Sequence, residues 1–270
     1  MSEDPSENKK MSFLGHLEEL RWRLVKVAIA VVAAACVLFY FTEFILDTVY
    51  ISMLQSNFPT YKFFCGTSQI LGLDDSLCAS TIDATLQSTK PMSQFSTNMY
   101  FAIVGGLSVT FPFTFYQIWG FIKPGLKSKE VAVTKGIVFY ASILFFTGIA
   151  FGYFVLSPLC VQFFGNYSMS NAVSNDFTIG SFMSMITTTT FLSGIFFQLP
   201  VVMYALAKLS IVTPELLKKY RKHALVVVLI LSAVITPPDV ISQIIVAIPI
   251  MGLYEIGIYV SKVVQKNKAK

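Results

Sequence analysis

A few carboxylates set in basic segments are the residues of this sequence best placed to do chemistry. The segments rich in lysine and arginine contain only a handful of acids in or next to predicted helices, namely Glu18, Glu19, Glu130 and Glu215. Each has an ordinary explanation as well. Glu19 is spaced for an i,i+4 ion pair with Arg23, and Glu130 for a solvated loop charge. The residues alone leave open whether these acids have a function.

The pattern of nucleophiles and bases argues against catalysis. The chain has two histidines, His16 and His223, and each lies at the end of an apolar run, so neither is a buried base for a serine nucleophile. Ser193-Gly194 has no visible base. No phosphate-binding glycine loop and no metal-ligand spacing of Cys or His occurs in the sequence. We therefore predict a binding protein that is not an enzyme and has no catalytic residue, cofactor or metal.

Composition places these residues in a membrane protein. Hydrophobic residues make up 54% of the 270 residues, and charged residues 13%. The charges lie in short clusters between apolar runs of about 20 residues, the length of helix that crosses ~30 Å of hydrocarbon. Because that layer offers no water to satisfy backbone N–H and C=O groups, each run must be helical. The predicted fold is all-α and polytopic.

We predict six transmembrane helices from these runs. Their approximate bounds are 24–46, 95–119, 136–156, 177–206, 223–235 and 240–260. Residues 1–23 form a cytoplasmic segment with an amphipathic lead-in helix, residues 24–262 the transmembrane domain, and residues 263–270 a basic tail.

The basic residues predict the orientation. The N-terminal segment, the loops after helices two and four, and the tail contain 18 of the 20 Lys and Arg residues. Only Lys62 and Lys90 lie on the opposite side. By the positive-inside rule, both termini are therefore cytoplasmic.

The first outer loop, residues 47–94, is long enough for a small folded cap. It contains Cys65 and Cys78, which either form a disulfide in an oxidising compartment or remain two free thiols. Cys36 falls inside helix one and is predicted to be a small core residue.

Proline predicts bends. Helix five has about 13 residues before Thr236-Pro237-Pro238-Asp239, so it is shorter than the hydrocarbon layer. Helices two, four and six contain Pro112, Pro200 and Pro249, and each is expected to bend. Bent helices favour a curved wall over a straight bundle.

Three polar residues fall within the predicted spans. Gln198 and Gln243 are neutral and either join neighbouring helices or serve a dedicated partner site. Glu255 lies near the inner end of helix six and is predicted to pair with Lys262. The run Thr187–Thr190 is expected to bond back to its own helix.

Several short motifs in this order resemble the TatC family, the multispanning subunit of the twin-arginine protein translocase. The motifs are His16-Leu17-Glu18-Glu19-Leu20-Arg21, residues 116–126 (YQIWGFIKPGL), residues 151–154 (FGYF), residues 198–201 (QLPV), residues 236–243 (TPPDVISQ) and residues 255–257 (EIG). The resemblance extends from Met11 to about Lys262.

The resemblance implies a receptor for signal peptides that carry consecutive arginines on folded cargo. Two cytoplasmic acids of the family accept the arginine pair, and they match Glu19 and Glu130. Phe121 and Pro124 match a shaped inner loop near that site. A guanidinium offers a rigid fork of donors to a carboxylate, which suits such an assignment.

The resemblance also implies partners and a location. Gln198 stands where the family often has Glu, on a concave face, while Thr236 and Gln243 match a polar patch that docks the single-span subunits TatA and TatB. The implied setting is a homo- and hetero-oligomer in the bacterial inner membrane, without nucleic acid. The alternatives are a secondary transporter of a small solute, with Gln198 and Glu255 along its path, and a scaffold without cargo.

Overall fold

The structure is a computed structural model, and it describes residues 13–55, 57–70, 86–122, 136–166, 177–209, 211–235 and 240–268. Helices dominate these residues, which confirms the predicted all-α membrane fold. The α-helices are α1 (Phe13–Tyr40), α2 (Thr42–Ile45), α3 (Pro59–Ile70), α4 (Ser93–Val109), α5 (Phe111–Ile122), α6 (Ile137–Phe151), α7 (Ser157–Asn166), α8 (Ile179–Phe196), α9 (Leu199–Lys208), α10 (Pro214–Lys219), α11 (Arg221–Ile235) and α12 (Val240–Lys268).

Short elements complete this architecture. π-helical turns at Leu46–Tyr50 and Gly152–Leu156 and a 3-10 turn at Ile51–Leu54 interrupt the α-helices. Two strands of two residues each, β1 (Leu86–Gln87) and β2 (Phe177–Thr178), pair in parallel with Leu86 opposite Phe177. The pairing joins the segment before α4 to the start of α8, so these two ends lie on one side of the bundle.

The lead-in helix and the first span are one element. α1 runs without interruption for 28 residues, or about 42 Å. Its apolar part, Leu17–Tyr40, is long enough to cross a membrane. Glu18 and Glu19 therefore lie on the same continuous helix as the first span.

The second span bends sharply where the sequence predicts a bend. α4 and α5 meet at Thr110 at an angle of 60°. The break comes two residues before Pro112, which has no N–H to continue the helical hydrogen bonds of the preceding turn. α12 contains Pro249 within one unbroken helix, and the bend expected there stays a prediction.

Four of the described helical segments are long and apolar enough to cross a membrane, and the bent pair α4–α5 makes five. α11 has 15 residues, so it reaches only about 22 Å. The predicted count of six, which includes this short helix, stays a prediction. Spans three and six are longer than predicted, since their helices end at Asn166 and Lys268.

Glycines bring α6 and α8 into backbone contact. A Cβ on Gly148 would lie 2.8 Å from the Cα of Gly194, and a Cβ on Gly152 would lie 2.7 Å from the Cα of Thr190. The pair Gly148 and Gly152 has the small-xxx-small spacing that lets membrane helices approach closely. Ser157 donates from Oγ to the carbonyl of Gly152 at 2.9 Å, within the π-helical turn.

Residues 42–70 form a cap that packs on the π-helical turn Gly152–Leu156, α7 and α8. Its buried core includes Tyr50, Met53, Phe58 and Tyr61, against Val161 and Phe182 of the bundle. Tyr50 shares a hydrogen bond of 2.6 Å with the hydroxyl of Thr187, and Tyr61 donates to the carbonyl of Met53 at 3.0 Å. Burial raises the pKa of Tyr61 to about 12, so the neutral phenol is the folded form.

Candidate functional site

The start of α1 is tied to α5 by one arginine. Glu19 accepts from Arg23 Nε at 2.9 Å and from Nη2 at 2.5 Å through its Oε1. Arg23 Nη1 donates to the backbone carbonyl of Gln117 at 3.3 Å and to its side-chain oxygen at 3.4 Å. We call the end of the bundle formed by Glu19, Arg23 and Gln117 the basic end.

Glycine makes room for this arginine. A Cβ on Gly120 would overlap the guanidinium of Arg23. Gly120 follows Gln117 by three residues, so the two line the same face of α5. The side chains of Arg23 and Glu19 are 24% and 23% exposed, so the ion pair is accessible from solution but held in place.

The predicted site residues divide between described and undescribed parts of the chain. Glu19 lies at the basic end, in the i,i+4 pair with Arg23 that its spacing predicts. Phe121 is half-buried in the last turn of α5, one residue past Gly120. Pro124 and Glu130 lie outside the described residues, as does Thr236. The receptor role of these residues therefore stays a prediction.

Gln198 lies at the break between α8 and α9, with 8% of its surface exposed. Its Nε2 donates to the carbonyl of Ala141 on α6 at 3.0 Å. Its Oε1 is buried and accepts no hydrogen bond from the described residues. The amide thus joins two helices with its donor, while its acceptor is enclosed within the bundle.

Gln243 makes a different contact. Its Nε2 donates to the carbonyl of Leu229 at 3.0 Å, so it joins α12 to α11. Glu255 pairs with Arg221 of α11 at 2.5 Å, and the predicted pairing with Lys262 is wrong. Residues 255 and 262 are two helical turns apart, about 10 Å along the axis, too far for direct contact.

The cysteines differ in their surroundings. Cys65 is disulfide-bonded, and its predicted partner Cys78 lies outside the described residues. Cys36 is an exposed free thiol on α1, so its prediction as a core residue is wrong. Cys160 is buried on α7.

Two hydroxyl contacts were not anticipated. Tyr50 of the cap reaches Thr187, and Tyr100 of α4 shares a hydrogen bond of 2.7 Å with Thr188. Thr187 also donates to the carbonyl of Met183 at 2.7 Å, as the threonine run predicts. The threonine run Thr187–Thr190 predicts that its hydroxyls form hydrogen bonds. It does not predict their partners Tyr50 and Tyr100, which come from distant segments of the chain.

Comparison with known proteins decides the family. The family profile described as "Sec-independent protein translocase protein (TatC)" matches residues 15–249. The chain belongs to the TatC family. The matched region includes the basic end, Gln198 and Gln243.

Curated relatives agree over nearly their full length. The Sec-independent protein translocase protein TatC of Blattabacterium sp. subsp. Periplaneta americana is 34% identical over 97% of this chain and 99% of the relative. TatCy of Bacillus subtilis strain 168 is also 34% identical, over 97% of this chain and 92% of the relative. These names describe a role in transport.

The fold matches a solved member of the family. The crystal structure of the twin arginine translocase receptor TatC superposes with a TM-score of 0.71 at 27% identity, and covers 93% of this chain and 99% of that one. This TatC-family chain is therefore a membrane-embedded protein of the Sec-independent translocase type.

We predict that Gly120→Ala lowers the thermal midpoint of this TatC-family chain by a few degrees. The added Cβ displaces Arg23 from Gln117 and so removes a charge-assisted link between α1 and α5 worth about 1.5–3 kcal/mol, of which the higher helix propensity of alanine offsets about 1 kcal/mol. The measurement is the melting midpoint in detergent. In an Arg23→Ala background the same change is expected to be neutral or stabilising, and an equal loss in both backgrounds would contradict the prediction.

Proposed function

We propose that this chain is the receptor subunit of a twin-arginine translocase and binds the arginine pair of signal peptides at its basic end. Glu19, held on α1 beside Arg23 and Gln117, is the observation that carries the proposal. The neighbouring helix α5 leads directly into the segment that contains Glu130. Two acids on separate elements suit two adjacent guanidinium groups.

The Glu19–Arg23 pair supports a specific way of binding. One carboxylate oxygen, Oε1, already accepts from two nitrogens of a guanidinium, so the site suits the group that it would receive from the peptide. An incoming arginine would either share Glu19 with Arg23 or displace Arg23 from it. Because Arg23 has a second anchor at Gln117, its charge would remain near α5 after displacement.

The polar residues of the span region support a docking role for single-span subunits of the TatA and TatB type. Gln198 has a buried acceptor that none of the described residues uses, and Trp119 Nε1 is likewise buried without a partner among them. Trp119 packs in the cluster that contains Ala141 and Val201, close to the hydrogen bond of Gln198. Both atoms are enclosed, so a partner helix with a polar group would satisfy them once the packing around Ala141 and Val201 opens to admit it.

Orientation and location follow the charges. The proposal places the basic end and both termini on the cytoplasmic side of the bacterial inner membrane, and the cap on its outer side. Family membership favours a translocase over a secondary transporter.

Photocrosslinking tests the receptor role. A photoreactive residue at position 131, next to Glu130 so that the carboxylate is kept, is expected to crosslink a signal peptide with consecutive arginines, and excess unlabelled peptide is expected to compete for it. Position 215, an exposed acid of α10, is the matched control and is expected to remain unlabelled. Equal labelling at both positions, or labelling that a lysine-substituted peptide competes for equally well, would count against the proposal.

We predict that Gln198→Leu weakens docking of a single-span partner but changes stability little. The substitution removes one interhelical hydrogen bond, worth about 0.6 kcal/mol on average, and also a buried acceptor without a partner among the described residues. Copurification with the partner and the melting midpoint are the two readouts. Thr147→Val, which alters an exposed hydroxyl bonded within its own helix, is the control. Undiminished copurification of Gln198→Leu would refute the docking role.

A further inference from the structure

The cap presents a large aromatic side chain on its outside. Phe63, in the second turn of α3, is 70% exposed, while Phe58 and Tyr61 close by are buried. Lys62 beside it is exposed as well. An exposed phenylalanine next to a lysine is a combination found at membrane–water boundaries, where the ring enters the acyl region and the ammonium reaches the headgroups.

Contacts of the cap fix the level at which α3 docks. Thr60 donates its hydroxyl hydrogen to the carbonyl of Phe154. The ring of Phe58 packs against Tyr153 at a centroid distance of 5.8 Å and against Phe154 at 6.2 Å. Phe63 lies one turn from Thr60, about 5 Å along α3. Its level along the bundle is therefore close to that of Phe154.

That level coincides with the boundary of the hydrocarbon layer. α6 begins at Ile137, directly after Lys135 and Gly136, which mark the basic end of this span. From residue 137 to residue 154 is 17 residues, or about 26 Å of helix. The hydrocarbon layer is ~30 Å thick, so Phe154 and the docked α3 lie just inside its far boundary.

Other aromatic side chains near this level are exposed as well. Phe154 is 45% exposed on a span, and Tyr40, at the end of α1, is 83% exposed. Tyr40 lies 17 residues beyond Arg23, the same distance from the basic end as Phe154 from Ile137. Phe44 and Phe95, at neighbouring helix ends, are 68% and 55% exposed. These side chains form an aromatic belt that Phe63 continues onto the cap.

We propose that the cap is a membrane-embedded element: Phe63 inserts into the acyl region of the leaflet at the cap end, and Lys62 contacts the phosphates of its headgroups. The partner is thus the lipid bilayer and not a second protein. Such an anchor would hold the cap against the membrane surface, while the contacts with the π-helical turn Gly152–Leu156 and with α8 hold it against the bundle. The inference depends on the spans and not on peptide binding, so it can fail independently of the receptor role.

Photocrosslinking to lipid tests this placement. The full chain, with benzoylphenylalanine at position 63, is reconstituted in vesicles of phosphatidylethanolamine and phosphatidylglycerol, irradiated and analysed by mass spectrometry. Position 154 is the matched lipid-facing control and position 61 the buried one, since Tyr61 is 5% exposed. We expect lipid adducts at 63 within about twofold of those at 154 and at least about fivefold above those at 61, as for an interfacial side chain.

A second measurement does not depend on the crosslinker. Phe63→Trp, compared with the parent chain to subtract Trp22 and Trp119, is expected to add emission that brominated acyl chains quench. Lack of lipid adducts at 63, whatever position 154 gives, overturns the proposal. So do crosslinks from 63 to a second copy of the chain in place of lipid, and added emission from the introduced tryptophan that brominated chains do not quench.

Discussion

Replacing both Glu19 and Glu130 by glutamine is expected to weaken binding of a twin-arginine signal peptide by roughly two to four orders of magnitude. Charge-assisted hydrogen bonds contribute about 1.5–3 kcal/mol each, and about 1.4 kcal/mol is a factor of ten. Glutamine keeps the size of each side chain but removes its charge, so the helix α1 should remain folded. The measurement is the dissociation constant of a labelled peptide for the purified chain in detergent or nanodiscs.

The two acids are not expected to contribute equally. Glu19 already accepts from Arg23, so a peptide arginine gains only the difference between two similar guanidinium contacts. The single change Glu19→Gln should therefore weaken peptide binding only about tenfold, near the low end of the range for one charge-assisted hydrogen bond. Glu130→Gln should weaken it more. Arg23→Gln should increase the contribution of Glu19, because it removes the competing cation.

A neighbouring carboxylate provides the control. Glu18 is exposed on α1, adjacent to Glu19, and no ion pair of the described residues includes it. Glu18→Gln changes net charge by the same amount, so it separates a general electrostatic effect from specific recognition. If Glu18→Gln weakened binding as much as Glu19→Gln, the attraction would be to the overall charge of the surface. Unchanged affinity in the double variant would rule out this site.

Much of this fold follows from hydropathy and proline alone. The apolar runs predict the spans because each must satisfy its own backbone within lipid, and Pro112 predicts the bend between α4 and α5. The positions at which the helices end are less predictable from the sequence. α7 and the last turns of α12 extend to Asn166 and Lys268, past the hydrocarbon layer, where the helical hydrogen bonds continue but the hydropathy signal stops.

Side-chain partners are predictable from the sequence when they lie on the same helix, and unpredictable when they come from another segment. The Glu19–Arg23 pair is local, and its spacing of four residues predicts it. The partner of Glu255 is Arg221 on another helix, and no pattern within α12 points to it. The cap is a stronger example, because Tyr50 and Phe58 become buried only when distant segments, which contain Phe101, Phe154 and Thr187, pack over them. Tertiary packing of this kind is not encoded in local spacing.

Among the candidate site residues, the sequence identifies Glu19 but not its context. The motif of residues 116–126 contains Gln117 and Gly120, yet only the structure shows that they hold Arg23. Gln198 shows the same limit: its polarity within a span predicts an interhelical bond, but not that one of its two polar atoms would remain without a partner among the described residues. The proposed roles of these residues come from the family resemblance, because neither their spacing in the sequence nor their packing in the structure indicates a function.

The second large effect is expected at the contact between α6 and α8. Gly152→Leu should destabilise the chain by about 3 kcal/mol, at the upper end of the cost of overpacking. A Cβ at this position would lie 2.7 Å from the Cα of Thr190 and 2.9 Å from Ser193 Cβ. Since one of these atoms is backbone, no change of rotamer relieves the overlap, and the helices must separate.

The readout is the melting midpoint in detergent, which should fall by about 10 °C for a chain of this size. Gly252→Leu is the matched control, because a Cβ on Gly252 of α12 meets nothing within 4 Å and the exchange also improves helix propensity. Thr190→Gly should not rescue Gly152→Leu, since it leaves the Cα in place. Rescue by that change, or an equal loss at position 252, would mean that side-chain volume or general helix insertion, and not backbone approach, sets the stability of this pair.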